Sequence, residues 1–302
     1  MSDPEYANQS GPFDARYLAF LETTIQLRPS LHRYCARMTG SVMDGEDVVQ
    51  EALFEAYRKL EKFDDSRALK PWLFRIAHNR CIDFLRKREV RLEADTAAVG
   101  PDIVESNESA ALGLGSALEH LVISLPPMER ACVLLKDVFD HSLEEIAGLV
   151  DSTVGGVKAA LHRGRVKIKS SPAPRKIQPA GNPEQVHLLG LYVERFNRRD
   201  WSGMRELISA DARLEVVARY AGRLLDSPYF GRYEQAPLPV QLALGEVDGE
   251  PIVIVLEQHA GAWIPRSPVR IEVVDQRITR ITDYFFCPWM LKAALSSNPA
   301  SS

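Results

Sequence analysis

Residues 152–176 of this 302-residue chain are suited to binding phosphate. The stretch holds seven basic side chains and no acidic one. Lysine and arginine neutralise the phosphates of nucleic acid, and arginine can also read base edges. The pattern therefore predicts DNA binding, and a solvated basic helix face is the alternative interpretation. The side chains that could make the contacts are Ser152, Thr153, Lys158, His162, Arg163, Arg165 and Lys167.

Two short helices joined by a tight turn must position these side chains. Ser142 precedes Glu145 by the spacing of a capping box, which predicts a helix start. Residues 151–153 form the predicted turn, and a hydroxyl there can cap the second helix. The second helix has an apolar stripe for packing inward, at Val154, Val157 and Leu161. This arrangement predicts a helix-turn-helix whose second helix can lie in the major groove.

Two more blocks of charge lie in the first hundred residues. Residues 44–51 concentrate acids, which suit the first turn of a helix because of the helix dipole. From Pro71 to Arg91 there are six bases against two acids, a local charge of +4 that fits phosphate contact. Between these blocks, residues 64–70 form a polar loop that, taken alone, is simply solvent-exposed.

These three blocks, in this order and spacing, resemble the extracytoplasmic-function group of bacterial RNA polymerase sigma factors. The resemblance covers roughly residues 13 to 170. Residues 44–63 resemble conserved region 2.2, residues 71–88 resemble regions 2.3 and 2.4, and residues 125–169 resemble region 4. The resemblance implies two partners, promoter DNA and the RNA polymerase core with its beta and beta-prime subunits. It also implies that the chain is not an enzyme.

The resemblance implies three sets of site residues. Polymerase binding would use an acidic helix start, with Leu53 and Phe54 equally open to being core residues: Asp44, Asp47, Gln50, Glu51, Leu53 and Phe54. Binding and melting of the −10 element, with capture of a flipped base by the loop, would use Asp64, Asp65, Ser66, Arg67, Lys70, Arg75, Asn79, Arg80, Arg86 and Lys87. The basic helix-turn-helix set named above would bind the −35 element.

Residues 184–295 have a different pattern. An amphipathic helix opens this part, with apolar residues at helical spacing from Val186 to Phe196. A short helix follows, and then strands are predicted over residues 212–220, 252–259, 269–274 and 277–286. One long helix with a curved antiparallel sheet is an α+β arrangement. Short motifs in this part resemble the SnoaL-like, or nuclear-transport-factor-2-like, cone fold.

A cone of this type can enclose a ligand or an active site. Strand alternation predicts that Glu215 and Arg219 share one face. A packed cone that acts as a protein-contact domain is nevertheless favoured over catalysis, and no catalytic residue, metal or cofactor is predicted. The candidate lining residues are Glu215, Arg219, Tyr220, His259, Trp263, Asp283 and Phe285.

Composition and linkers bound the organisation of the chain. The net charge is −4 and the pI is about 6.0, so basic surfaces and a protein partner must support DNA binding. Four scattered cysteines and the lack of an apolar run of membrane length favour a reduced, cytoplasmic protein. His78 and Cys81 have the spacing of half a metal site and are interpreted as structural. The predicted segments are region 2 at 13–92, an acidic linker at 93–116, region 4 at 117–170, a proline-rich linker at 171–183 and a SnoaL-like domain at 184–295.

The sequence thus predicts a multidomain protein with two all-α sigma domains followed by an α+β cone. Its predicted function is to direct core polymerase to −35 and −10 promoter elements. An intramolecular contact of the SnoaL-like domain with the sigma domains is predicted to modulate this activity, and an unknown small ligand in the cone is a further candidate partner. The alternatives are a stand-alone helix-turn-helix regulator and a DNA-binding protein fused to a SnoaL-like enzyme.

Overall fold

The computed structural model of the protein describes six ranges, which are residues 12–63, 68–98, 122–170, 183–217, 219–248 and 250–291. They form two compact units, each with its own hydrophobic core. Unit 1 comprises the described residues up to 170, and unit 2 comprises those from 183 onward. Within these six ranges, no helix combines the length and apolar composition needed to cross a membrane.

The first part of unit 1 contains three long helices. They are α1 (Pro12–Thr39), α2 (Val42–Lys59), which continues into a 3-10 turn at Leu60–Lys62, and α3 (Leu69–Ala98). Gly40 adopts φ +85° in the tight turn after α1, and the Ser41 hydroxyl caps α2 by accepting from the Asp44 N–H at 3.0 Å. A Cβ at Gly45 would lie 2.5 Å from the Ala36 nitrogen, so glycine allows α2 to approach the α1 backbone closely.

The helix-turn-helix predicted from the sequence is confirmed in the second part of unit 1. It contains α4 (Pro127–Val133) with a π-helical turn at Leu134–Val138, then α5 (Leu143–Leu149) and α6 (Val154–Ser170). The capping box is present: the Ser142 hydroxyl accepts from the Glu145 N–H at 3.1 Å, and the Ser142 N–H donates to the Glu145 carboxylate at 2.8 Å.

All six helices of unit 1 contribute to one continuous core. The sequence predicts two separate domains here, at residues 13–92 and 117–170. In the structure the ring of Phe139 lies 5.9 Å from that of Tyr34 and 5.8 Å from that of Phe74, centroid to centroid. Helix α3 also extends to Ala98, beyond the predicted end at residue 92. The rest of the predicted acidic linker lies outside the described residues, as do residues 171–182 of the proline-rich linker.

Unit 2 packs three helices against one curved six-stranded sheet, which confirms the predicted α+β class. The helices are α7 (Pro183–Asn197), α8 (Trp201–Leu207) and α9 (Tyr229–Glu234). The strands are β1 (Ile208–Val216), β2 (Tyr220–Arg223), β3 (Val240–Val247), β4 (Glu250–His259), β5 (Ala262–Val274) and β6 (Arg277–Asp283). Their order is β2-β1-β6-β5-β4-β3, and only the β1–β6 pair is parallel.

The predicted strands are partly right. The two-residue turn at Asp275 and Gln276 is confirmed, with φ values of +50° and +58°. The sequence does not predict strands β2 and β3. It predicts a turn over residues 245–251, and the turn lies in the middle of this range, with Asp248 at φ +58°, while the two ends of the range belong to strands β3 and β4. A Cβ on Gly245 would clash with Ile254 at 2.4 Å, so the glycine serves packing across the strand pair.

Candidate nucleic-acid and polymerase interfaces

The exposed face of α2 is acidic with an apolar tip. Asp47, Gln50, Glu51 and Phe54 follow the spacing of one helical face, and Phe54 is 63% exposed. Leu53 was proposed as a polymerase contact, but it is only 9% exposed and belongs to the core. An exposed acidic and aromatic surface of this kind is suited to binding a basic helix. A groove of about 490 Å³ adjoins it, lined by Glu51, Phe54, Glu55, Arg58, Lys59, Lys62 and Arg80.

One acid near this face, Glu46, is structural. Glu46 is fully buried and lies 2.5 Å from the Arg28 guanidinium, so it is not available to a partner. Asp44 is half-buried at the capped start of α2. The sequence alone does not show which side of the helix faces the core, so it does not separate Glu46 from Asp47 and Glu51. Asp44, three and seven residues before Asp47 and Glu51, lies on their side of the helix.

Arg80, a member of the predicted −10 set, joins α3 to α2 through an acid of α2. Its guanidinium donates to the Glu55 carboxylate at 2.5 Å, and Lys59 also donates to Glu55. Burial raises the pKa of Glu55, but the hydrogen bonds from Lys59 and Arg80 outweigh it and lower the pKa overall. Arg80 is therefore occupied by a helix–helix contact.

The other described members of the −10 set lie on α3 as predicted. Arg75, Asn79 and Arg86 are exposed and follow one helical face, and Lys70 and Lys87 are exposed elsewhere on α3. Arg86 donates to Asp83 at 3.2 Å, an exposed pair. The loop residues of the set, namely Asp64, Asp65, Ser66 and Arg67, lie outside the described residues.

His78 and Cys81 lie in the core of unit 1. The Tyr34 hydroxyl is 2.8 Å from Nδ1 of His78, and burial lowers the pKa of His78 to about 4. Cys81 is fully buried beside these groups. Both side chains thus have a packing role, and the described part of the chain contains no group of three or more metal-ligating side chains suited to an ion.

Local geometry fixes the start of α6 and its packing against the rest of unit 1. Asp151 adopts φ +53° in the turn, a conformation that aspartate tolerates. The Thr153 hydroxyl accepts from the Gly156 N–H at 3.0 Å and caps α6, while Ser152 is exposed in the turn. A Cβ on Gly164 would lie 2.9 Å from Val133, so this glycine brings α6 close to α4. The buried side of α6 is formed by Val157, Ala160, Leu161 and Gly164.

Three of the predicted −35 bases are already paired with acids of unit 1. Arg163 donates to Glu129 at 3.0 Å and Lys167 lies 2.9 Å from the same carboxylate, while Arg165 forms a bidentate pair with Asp137. Burial raises the pKa of Glu129, but the hydrogen bonds from Lys167 and Arg163 outweigh it and lower the pKa overall. DNA phosphates would have to compete with both carboxylates for these bases.

Lys158 and His162 are the exposed basic groups of α6 best placed to meet DNA directly. Neither forms an ion pair with any residue that the structure describes, and both line a groove of about 530 Å³. The groove continues over the C-terminal half of the helix, with Lys136, Leu143, Lys158, Leu161, His162, Arg165, Val166 and Lys169 around it. Most side chains around the groove are basic, and Leu143, Leu161 and Val166 supply its apolar part.

Of the candidate cone residues, only Asp283 reaches the closed interior. It is 1% exposed, its Oδ2 accepts from the hydroxyls of Tyr229 and Tyr233 at 2.9 Å each, and its Oδ1 accepts from the Phe285 N–H at 2.9 Å. Burial raises the pKa of Asp283 despite the hydrogen bonds from both tyrosines. The two tyrosines, four residues apart on α9, were not predicted as partners of Asp283.

The other predicted pocket residues lie elsewhere in unit 2. Glu215 alternates with the buried Leu214 and Val216 and lies 3.8 Å from Arg280, so it does not form the internal pair with Arg219 that strand alternation left open. Phe285 is half-buried under Arg266. Exposed positions are taken by Arg219, which lies over Phe286, and by Tyr220, His259 and Trp263.

Comparison with known proteins matches Sigma-70 region 2 to residues 25–91 and Sigma-70 region 4 to residues 116–168. The chain is 31% identical to the ECF RNA polymerase sigma factor SigG of Mycobacterium tuberculosis, across 91% of this chain and 83% of SigG. It is 31% identical to the ECF RNA polymerase sigma factor SigW of Bacillus subtilis, across 50% of this chain and 87% of SigW. The crystal structure of the M. tuberculosis extracytoplasmic function sigma factor SigJ is 20% identical, covers 90% of this chain and 98% of its own, and has a TM-score of 0.35.

Proposed function

We propose, from the premise that this chain belongs to the extracytoplasmic-function RNA polymerase sigma factors, how its surfaces divide the work of promoter recognition. The exposed face of α2 binds core polymerase, the exposed face of α3 binds the −10 element, and α6 binds the −35 element. One observation carries this division: unit 1 presents an acidic surface on α2 and separate basic surfaces on α3 and α6. Opposite charges on separate helices suit two different partners.

The polymerase contact is proposed for Asp47, Gln50, Glu51 and Phe54. The two carboxylates would steer a basic helix of the beta-prime subunit, and the ring of Phe54 would supply apolar area at the centre of the contact. Phe54 lies 6.0 Å from the Arg58 guanidinium, measured to the ring centroid, so its face is partly engaged already. This arrangement favours a small docking site on α2 rather than an extended one.

Reversing the charge of this face should separate polymerase binding from promoter preference. We expect Asp47→Lys with Glu51→Lys to weaken core binding at least tenfold, because two attractive pairs become repulsive. Equilibrium binding of labelled chain to core polymerase measures the effect. Glu234→Lys with Glu246→Lys, two exposed acids of unit 2, changes the net charge by the same amount and should bind like the unaltered chain. A double variant with normal core binding and altered promoter choice would refute the α2 assignment.

The −35 contact is proposed to centre on Lys158 and His162, with the paired bases joining when phosphates displace their acids. Removing Lys158 by Lys158→Ala should cost roughly 1–3 kcal/mol of promoter affinity if it reads a base edge. Promoters would first be selected from a fragment library by run-off transcription with the unaltered chain and core. The −35 base preference of the variant is then compared with that of Lys62→Ala, a control from the other part of unit 1. Loss of −10 preference instead would contradict the assignment.

Unit 2 is proposed to regulate the sigma activity in cis without catalysing a reaction. Its most deeply buried described acid, Asp283, accepts hydrogen bonds from two tyrosine hydroxyls, and the other predicted polar lining residues lie away from it. That arrangement favours a packed cone as a contact domain. The proline-rich segment between the units would keep it at a high effective concentration near the sigma helices.

Comparing residues 1–302 with residues 1–182 in run-off transcription tests this regulatory role. Both proteins should yield specific transcripts with core polymerase, and the outputs should differ at matched concentrations. Higher output from the shorter chain would mean that unit 2 restrains the sigma helices, and lower output would mean that it assists them. Equal outputs would exclude regulation in cis, while duplex binding without any transcript would favour the stand-alone regulator.

A further inference from the structure

Strand β3 forms one edge of the sheet of unit 2, so one side of its backbone has no neighbouring strand among the described residues. The carbonyl of Pro239, just before β3, accepts from the Gln258 N–H of β4 at 3.0 Å, and the β3–β4 register then continues without a shift. Backbone groups of successive residues alternate between the two sides of a strand. The odd-numbered residues therefore face β4, and the even-numbered residues face outward. The outward N–H and C=O groups belong to Val240, Leu242, Leu244 and Glu246.

Side chains at the end of α7 and just after it cover the first half of this edge. The Asn197 amide donates to the Leu242 carbonyl at 2.9 Å and accepts from the Leu242 N–H at 2.8 Å, as a neighbouring strand would. The Arg199 guanidinium donates to the Val240 carbonyl at 2.8 Å. Within the described ranges, no side chain or strand makes the corresponding bonds to Leu244 and its outward-facing neighbour at 246. The edge is thus open over residues 243–247.

An apolar stripe of α7 adjoins the open edge. Val186, Gly190 and Val193 follow one face of the helix, and Asn197 continues that face toward the edge. A Cβ at Gly190 would lie 4.0 Å from Cδ1 of Leu244, so α7 passes beside β3 at this point. Leu244 is 44% exposed and Val186 is 39% exposed. The open backbone of residues 243–247 and the stripe of α7 therefore form one surface, the β3 edge surface.

The residues of the open edge do not prevent strand pairing. An unpaired edge is a template for another strand, and proteins commonly blunt such edges with lysine, proline or a very short strand. The opposite edge of the sheet, β2, is only four residues long. Strand β3 has eight residues, and its open half contains no lysine or proline. Its exposed Leu244 favours a partner that supplies backbone hydrogen bonds and apolar contact together.

We infer that the β3 edge surface binds the same surface of a second copy of this chain. Residues 243–247 of the two copies pair in antiparallel fashion about a two-fold axis at Gly245, so Leu244 lies opposite Glu246 of the second copy. The outward N–H and C=O groups of both residues then form hydrogen bonds. No two carboxylates lie directly opposite each other in this register, which avoids the repulsion of an opposed pair of like charges.

The length of the open edge fits a second copy. In this register the strand of the second copy ends at Val247, and its turn, where Asp248 adopts φ +58°, lies opposite Leu242. Leu242 is already bonded by Asn197, so it needs no strand partner. The open edge and the strand that fills it are thus the same five residues. A longer strand in this position would meet Asn197.

The two-fold axis also brings the α7 helices together. Gly190 lies beside Leu244, and Leu244 is one residue from the axis at Gly245, so the two α7 helices face each other at Gly190. Because glycine has no side chain, the helices can approach closely there and bring their apolar stripes into contact. The inferred contact therefore combines strand pairing with a helix contact, and all of its residues belong to unit 2.

Cross-linking tests the register. Full chains with Leu244→Cys are mixed with differently tagged full chains with Glu246→Cys and oxidised with copper phenanthroline, while the four native cysteines are buried. Opposed residues of a hydrogen-bonded pair have Cα atoms about 5.5 Å apart, within the ~4.4–6.8 Å range of disulfides. We expect a mixed disulfide dimer. Neither variant should cross-link to itself, since residues two positions out of register lie about 7–8 Å apart.

Charge changes test the strand contact by sedimentation of the full chain. Because the inferred interface is at the small end of specific interfaces, the dissociation constant should be in the micromolar range. Leu244→Glu places a carboxylate opposite Glu246 of the second copy and should weaken dimerisation about tenfold. Adding Glu246→Lys converts both repulsive pairs into attractive ones and should recover most of the loss.

Gly190→Gln tests the helix contact without weakening the fold. Its Cβ meets Leu244 at an ordinary contact distance, and replacing a helical glycine raises helix propensity. The new side chains hold the two α7 helices apart, so we expect dimerisation to weaken about tenfold. Gly231→Gln, at a glycine of α9 whose Cβ would have no atom within 4 Å, is the matched control and should dimerise like the unaltered chain.

The inference is overturned if the chain stays monomeric up to about 100 μM. A self-linked dimer of Leu244→Cys would overturn the register, and dimers unaffected by Leu244→Glu and Gly190→Gln would overturn the contact as a whole. A mixed disulfide, together with the loss on Leu244→Glu and its recovery by Glu246→Lys, supports the inference. Circular dichroism identifies a variant that has unfolded, in which case the mixed disulfide and Gly190→Gln decide.

Discussion

Lowering the pH from 7 to 5 should remove about 2 kcal/mol from the free energy of unfolding of unit 1 through His78 alone. The folded-state pKa of His78 is lowered to about 4 by burial, against an ordinary value of 6.5. Above pH 6.5 the imidazole is neutral in both states and makes no contribution. Below it, the unfolded chain binds a proton that the folded chain excludes, so stability is lost as the pH falls toward 4.

The substitution His78→Asn isolates this contribution. Asparagine can still accept from the Tyr34 hydroxyl but does not titrate, so the variant should have a shallower loss of stability between pH 7 and 5. Hydrogen exchange of the α3 amides, corrected for the intrinsic pH dependence of exchange, measures unit 1 separately from unit 2. His162→Asn, at an exposed histidine of α6, is the control and should keep the slope of the unaltered chain. Parallel slopes for all three proteins would show that His78 does not set the acid sensitivity.

Local signals made the helix-turn-helix predictable. The capping box of Ser142 and Glu145 and the turn at Asp151 depend on residues three or fewer positions apart, and both form as expected. Short-range spacing could not show that Arg80 bonds to Glu55 or that Arg163 bonds to Glu129, because these partners lie on different helices. The sequence therefore identifies these basic side chains as DNA contacts without showing that several of them also form ion pairs within unit 1.

The cone shows the same limit in a strand. Alternation correctly separated Glu215 from its neighbours, but it could not say which face is inside, since Leu214 and Val216 alternate with it equally well. The neighbours of Asp283 are Tyr229 and Tyr233, about fifty residues away along the chain. The packing of α9 near the end of β6 brings them together. The α+β class of unit 2 was thus predictable, whereas the side-chain contacts inside it were not.

Replacing Arg130 with methionine should destabilise unit 1 by about 3 kcal/mol, from charge-assisted hydrogen bonds that are worth roughly 1.5–3 kcal/mol each, less the relief of a buried charge. Arg130 is 8% exposed, and burial lowers its pKa to about 10. It donates to the carbonyls of Ile123 and Leu125, and also to that of Met38 at the end of α1. Its charge therefore faces the negative end of the α1 dipole instead of a carboxylate.

Methionine is close to arginine in length and fills the site, so the cavity contribution should be small. The loss of stability should therefore measure the hydrogen bonds of Arg130 to the three carbonyl groups. Hydrogen exchange of the α1 and α4 amides measures it. Arg86→Met removes an exposed arginine paired with Asp83 and should change stability by less than about 0.5 kcal/mol. If Arg130→Met were as mild as this control, Arg130 would not hold the end of α1 to the helix-turn-helix. A loss confined to α4, with α1 unchanged, would limit its role to the segment around Leu125.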